Sequence, residues 1–109
     1  MKISFEDFQK VDIRVGKIIK ADDFPEARKP AYKLKIDFGI YGIKTSSAQI
    51  TQKYSKEDLL NRLIIAVTNF PPKKVADFVS EILVLGVITK KGVVLLNIDE
   101  PVELGSKIE

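Results

Sequence analysis

Ala31 to Thr51 reads A-Y-K-L-K-I-D-F-G-I-Y-G-I-K-T-S-S-A-Q-I-T. The first half alternates. Tyr32, Leu34, Ile36 and Phe38 fall on one side of an extended strand, and Lys33, Lys35 and Asp37 on the other. Gly39 and Gly42 let the backbone bend, and Ile43 to Ala48 reads as a second extended run that brings Lys44, Thr45, Ser46 and Ser47 to the neighbouring ladder. One face of this pair is apolar enough to line a barrel. The other sets ammonium groups beside hydroxyls, a chemistry suited to an extended anionic chain rather than a small neutral molecule.

Working outward, Ser4 followed by Asp7 is a capping box for a short helix ending near Val11, with Phe5 and Phe8 on one face. Asp12 to Ala21 is a strand in which Gly16 marks a bulge or sharp coil. An acidic, proline-bearing loop, Asp22 to Pro30, joins it to the central pair. Downstream, Ser55 and Asp58 form a second capping signal, placing Leu59 and Leu60 on a short helix that plugs the barrel bottom. Arg62 to Phe70 is a strongly apolar strand stopped by Pro71-Pro72. Lys73 to Val79 is expected as a short helical or irregular crossing, and Ser80 to Thr89 as one strand around Gly86. Lys90-Lys91-Gly92 is a turn, Val93 to Ile98 the last long strand, and Asp99 to Ile108 an edge piece turning at Gly105.

Helix, three strands, short helix and three or more strands is the order of an all-β chain with small α content. It fits a five-stranded Greek-key OB-fold barrel whose connector helix follows the third strand. A β-sandwich needs more strands than 109 residues supply after the helices. Residues 1–109 are read as a single domain, and the surplus apolar C-terminal strands as the surface of a homodimer.

The composition excludes several functions. The chain has no cysteine and no histidine, which removes the disulfide framework, thiolate chemistry, the commonest general base and the commonest transition-metal ligand. No phosphate-cradling P-loop, dinucleotide glycine fingerprint or EF-hand spacing is present. Paired acids such as Asp22-Asp23 and Glu57-Asp58 fall where solvation and capping explain them. No enzyme, cofactor or metal is expected. No run approaches the roughly 20 apolar residues that cross a bilayer, and the N-terminus lacks a signal-peptide pattern, so no membrane insertion and a cytoplasmic location are expected. Net charge is +3, unevenly spread: four acids and one base follow Ile98, leaving residues 1–98 with seventeen bases against eleven acids, a net of +6. A basic body with an acidic tail points to an anionic partner.

Six segments in order carry a resemblance: D-I-R-V-G-K-I (12–18), F-P-E-A-R-K-P (24–30), Y-K-L-K-I-D-F-G (32–39), K-T-S-S-A-Q-I-T (44–51), A-V-T-N-F-P-P-K (66–73) and S-E-I-L-V-L-G (80–86). Together they resemble the tRNA-binding-domain family. Its members include the small export-related chaperones of the CsaA type and the C-terminal appendage of bacterial methionyl-tRNA synthetases. The resemblance implies an OB-fold barrel, dimerisation through the N-terminal helix and C-terminal strands, and binding of tRNA or single-stranded RNA on the outer barrel face. For the chaperone branch it implies binding of unfolded preproteins, and for the synthetase branch a tRNA-binding subunit acting in trans. The turns at Gly86 to Gly92 and Glu103 to Ser106 depart from the family pattern.

Candidate RNA-binding residues follow from both readings. Arg14 points away from the core and either forks onto a phosphate or pairs with Asp12 or Asp37. Lys33 and Lys35 lie about 7 Å apart along one strand face, near the phosphate spacing of an extended single strand, or serve solubility alone. Lys44 joins them from the next strand, while Ser46, Ser47 and Gln49 offer donors and acceptors for ribose and base edges. Asn69 either reads a base or closes its own turn, and Lys73, Lys74 and Ser80 flank the same groove. Tyr32 and Phe38 belong to the core, which limits aromatic stacking.

Overall fold

The computed structural model describes all residues, Met1–Glu109. Its strands are β1 (Ile13–Asp23), β2 (Tyr32–Asp37), β3 (Ile43–Ala48), β4 (Leu63–Val67), β5 (Lys73–Val75), β6 (Phe78–Ser80), β7 (Leu83–Val84), β8 (Gly86–Thr89), β9 (Gly92–Leu95) and β10 (Lys107–Ile108). Two short helices accompany them, α1 (Phe5–Gln9) and α2 (Lys56–Leu59). The main sheet runs β3-β2-β1-β4-β7, with β10 against β1, and curls into a nearly closed OB-like barrel. β1 makes this possible by its length. Its first half, Ile13–Lys17, pairs with β4, and its second half, Lys17–Asp23, pairs with β2 across a register shift between Ile18 and Lys20.

That shift is the bulge anticipated near Gly16, displaced a few residues along the strand. Gly16 has a different task. A Cβ there would meet Ile36 Cγ2 at 2.6 Å and the Phe38 ring at 2.7 Å, so its lack of a side chain is what lets β2 pack across β1.

The alternation in β2 holds. Tyr32, Leu34, Ile36 and Phe38 are buried, and with Ile18, Ile50, Ile64, Ala66, Ile82 and Leu95 they surround Leu59, which α2 inserts into the barrel with no exposed surface. Both capping boxes form, Ser4 with Asp7 and Ser55 with Asp58. Leu60 departs from expectation: it is exposed, because α2 ends at Leu59 and only one face of a single turn can enter the barrel. Tyr54 locks this floor. Its backbone oxygen accepts from the Tyr32 hydroxyl at 2.8 Å, and its own hydroxyl accepts from Leu95 N–H at 3.0 Å.

The C-terminal half differs from the sequence reading in three places. Lys73 to Ser80 is a β-hairpin, β5 and β6, turning at Ala76–Asp77. Ser80 to Thr89 is three short strands, because the chain changes partner twice, from β5 to β4 and then to β9. The last long strand expected over Val93 to Ile98 is the short β9, which pairs only with β8 and ends at Leu95.

Candidate nucleic-acid interface

β3 and the segment from Val79 to Ile82 face one another across the seam that closes the barrel, and hydroxyl side chains supply much of the bonding there. Glu81 N–H donates to Thr45 O at 2.8 Å, the Ser80 hydroxyl accepts from Ser47 N–H at 3.0 Å, and the Thr45 hydroxyl lies 2.7 Å from Val79 O. Ser46 completes the seam from inside. It is 1% exposed and its hydroxyl bonds Ile82 O and Ser47 O, each at 3.2 Å. The hydroxyl expected to meet ribose is therefore turned into the barrel, because Ser46 stands opposite Leu34 on the inward row of β3. Lys44, opposite Ile36, occupies that same inward row at the barrel's mouth, and so does not join the face of Lys33 and Lys35.

Beside the seam lies an open groove of about 1320 Å³. One wall is the loop after β1, with Phe24, Glu26, Arg28 and Lys29. The end of β3 contributes Ser47 and Gln49, and the far wall runs from Phe70 through β5 and β6 to Val84. Five sequence candidates meet here: Ser47, Gln49, Lys73, Lys74 and Ser80. The floor is apolar, with Ile50, Ile82, Val84 and Val93, while four bases (Arg28, Lys29, Lys73, Lys74) face two acids (Glu26, Glu81) on its walls. A positive rim over an apolar floor holds phosphates at the edge and leaves room for base faces below.

Lys33 and Lys35 stand on the adjoining outer face. Lys33 packs with its ammonium 5.6 Å from the centroid of Phe24, a groove residue, and so touches the groove's margin. Lys35 is exposed and sits directly opposite Lys20 on β1, two like charges side by side. Lys20 in turn lies 3.6 Å from Asp22, itself opposite Lys33, so this face is basic but partly neutralised.

Two candidates lie elsewhere and are committed to the fold. Arg14 Nε bonds Asp12 at 3.0 Å, its Nη1 donates to Gly105 O at 2.9 Å, and the guanidinium covers the Tyr41 ring at 4.0 Å from the centroid. Only 16% of its side chain is exposed, and Asp12 is the partner of the two that were open. Asp12 also accepts from the Thr68 hydroxyl. Partial burial pushes its carboxyl up, but the Thr68 hydroxyl, the Arg14 hydrogen bond and the charges of Arg14 and Lys107 outweigh that and hold it below the ordinary value of 3.8. Asn69 accepts from Asp12 N–H at 2.9 Å and donates to Lys10 O at 2.7 Å, stitching α1 to the end of β4. Each end of its amide makes one bond within the fold, so Asn69 serves as a structural tie.

Three groove residues were missed. Arg28 and Lys29 sit in the loop Asp22 to Pro30, whose acids and prolines mark it as a solvated connection. Phe70, 52% exposed, is the solvent-facing aromatic group in the groove's wall, where Phe24 is buried. The two prolines after it were the available signal, since they end β4 and turn the ring outward instead of into the next ladder.

The family model described as "Putative tRNA binding domain" matches residues 13–107, spanning the barrel and the whole groove. The chain belongs to the tRNA-binding-domain family. It is 40% identical over 106 residues to the methionine–tRNA ligase of Thermococcus onnurineus, covering 97% of this chain and 14% of the ligase. The chain thus spans only a small part of the curated relatives it matches. Among solved structures it is similar to the CsaA chaperone protein of Picrophilus torridus, with 60% identity, a TM-score of 0.94 and coverage of 99% of this chain and 100% of that one. The CsaA chaperone of Bacillus anthracis matches with 51% identity, a TM-score of 0.94 and full coverage of both chains.

Proposed function

We propose that the protein is a non-catalytic module that binds tRNA, or another RNA with an accessible single-stranded segment, in the groove and along the lysine-bearing face beside it. The observation that carries this reading is the groove itself. Arg28, Lys29, Lys73 and Lys74 ring an opening that also holds Ser47, Gln49 and Ser80. Ammonium and guanidinium groups neutralise phosphates and release counterions, the short polar groups meet ribose hydroxyls and base edges, and Phe70 offers one base a stacking surface. Membership of the tRNA-binding-domain family supports the same ligand.

A second reading is favoured by the apolar floor of Ile50, Ile82, Val84 and Val93 together with the likeness to CsaA chaperones. On that reading the groove holds apolar segments of unfolded chains, such as exported preproteins. A trans-acting tRNA-binding subunit of a methionyl-tRNA synthetase is a variant of the first reading. A homodimer accompanies both. The β8–β9 hairpin leaves Val87, Ile88 and Val94 uncovered, Ile88 at 90%, while α1 exposes Phe5; a surface of that kind is covered by a second copy. Light scattering at micromolar concentration should give twice the 12.2 kDa chain mass, and a monomer mass refutes it.

The deciding experiment is a salt titration of binding to bulk tRNA, with an unfolded preprotein as the second ligand. Affinity for tRNA should fall linearly in log K against log salt. Absence of tRNA binding at low salt, with salt-insensitive capture of the unfolded chain, assigns the groove to polypeptide.

A further inference from the structure

Two carboxylates line the groove, and they differ in how they are held. Glu26 is exposed on the loop after β1. Glu81 is half-buried at the barrel seam and fixed to a single residue across it. Its N–H donates to Thr45 O at 2.8 Å, its Oε1 accepts from Thr45 N–H at 3.1 Å, and the Thr45 hydroxyl lies 2.9 Å from the same oxygen. Oε2 takes part in none of these bonds. No buried side-chain oxygen in the molecule lacks a partner, so Oε2 is open to solvent, on a residue that lines the groove.

A fixed anion among four cations has a particular consequence for an RNA ligand. It repels phosphate, so its contact with RNA falls on a base, and an acceptor-only group needs an edge that presents donors. Guanine presents two adjacent donors, N1–H and N2–H, on its Watson–Crick edge. Adenine and cytosine set an acceptor beside their amino group, and uracil flanks its one N–H with two carbonyls; each of those acceptors repels a carboxylate. Single-stranded segments expose that edge. We propose that Glu81 is the base-reading residue of the groove, selecting guanine in single-stranded RNA through its free carboxylate oxygen beside the one that Thr45 holds. The inference rests on the RNA reading of the groove and adds a specificity to it.

The test is fluorescence-anisotropy titration of the full chain with short oligouridines carrying one central guanine, adenine, cytosine or inosine. Guanine should bind roughly fivefold to a hundredfold more tightly than adenine or cytosine, and inosine, which lacks the 2-amino donor, should lose part of that preference. E81Q retains an oxygen for Thr45, so its melting temperature should match the parent. The preference should nevertheless shrink to within about twofold, with the salt slope unchanged because Glu81 touches no phosphate. Tight, salt-sensitive binding without guanine preference, or a preference that survives E81Q, overturns the inference and leaves the RNA reading intact. Failure of every oligonucleotide and of tRNA to bind at low salt removes both. If E81Q instead abolishes capture of a Lys/Arg-rich unfolded peptide, with no base preference in the parent, the carboxylate belongs to a peptide site and the inference falls.

Discussion

The two ends of β1 carry the same kinds of side chain to opposite effect. At its start, Asp12, Arg14, Thr68, Asn69 and Tyr41 bond or stack on one another, with Gly105 O taking the remaining guanidinium donor. At its finish, the loop after Asp23 opens onto a groove where Arg28, Lys29, Lys73 and Lys74 make no ion pair within the chain. A charge already engaged by its own fold offers a ligand little. A charge standing over an apolar floor without a partner has its full field available. Residue type alone therefore marks neither end as the binding site; what separates them is which partners the fold has supplied.

The comparison breaks most visibly by reversing charge in the groove. Lys73→Glu with Lys74→Glu should weaken tRNA binding on the order of a hundredfold at low salt and make the log–log salt slope shallower by about 2. Because both lysines are exposed on β5, the melting temperature should be nearly unchanged. The same swap at Lys33 and Lys35 should act in the same direction but less, since Asp22 already faces Lys33. If the hairpin swap leaves tRNA binding intact, the groove is not the site.

At the other end the expected pattern inverts. Arg14→Ala removes the partner of a half-buried carboxylate and strands Gly105 O, whose position is fixed by φ of +90° and by a close approach that would put a Cβ 2.5 Å from Phe38 O. A loss of about 2–3 kcal/mol is expected, visible as a fall in melting temperature on the order of 10 °C. RNA affinity, measured below that temperature, should stay within about threefold of the parent, less than 1 kcal/mol. A large loss of affinity in a variant that remains folded would return Arg14 to the interface.

Asp12 sharpens the contrast through pH. Its carboxyl is held below 3.8 in the folded chain, so the contribution is fully present above the unfolded value and disappears as pH falls through the lower folded value. Asp12→Asn should cost about 1–2 kcal/mol at neutral pH. It should also flatten the acid limb of the stability curve below pH 4, which thermal melts across that range will show. An acid limb of unchanged steepness would place the sensitivity in other carboxylates.

What the sequence disclosed follows the range of each signal. The alternation of Tyr32 to Phe38 and the two capping boxes are local, and both appear where the residues place them. The β5–β6 hairpin was hidden because its two-residue turn is Ala76–Asp77, with Ala76 at φ 51°, and carries no glycine or asparagine to announce it. The break-up of residues 80–89 was hidden because apolar strands look alike whichever partner they pair with. For the site, clustered lysines at 73–74 and their neighbours were legible, since they lie on one short strand. The Asp12 partner of Arg14 was legible two residues away. Its Gly105 bond, the Ile82 bond of Ser46 and the bonds of Asn69 reach residues 36 to 91 positions away, which no local pattern reports.

The smallest expected effect is also the finest cut between structure and interface. Ser46 and Ser47 are neighbours on β3, but the pleat sends one inward and the other to the groove. Ser46→Ala deletes hydroxyl bonds to Ile82 O and Ser47 O at the seam and should cost about 0.5–1.5 kcal/mol of stability with no change in RNA affinity. Ser47→Ala leaves the seam bond intact, because that bond uses its backbone N–H and the Ser80 hydroxyl. It should therefore keep the parent melting temperature and weaken RNA binding by roughly threefold to tenfold, the worth of one net hydrogen bond. Equal behaviour of the two alanines in both assays would mean that the serine pair does not straddle the boundary between barrel and ligand. In that case the interface would have to be sought along Lys35 and Lys20 rather than in the groove.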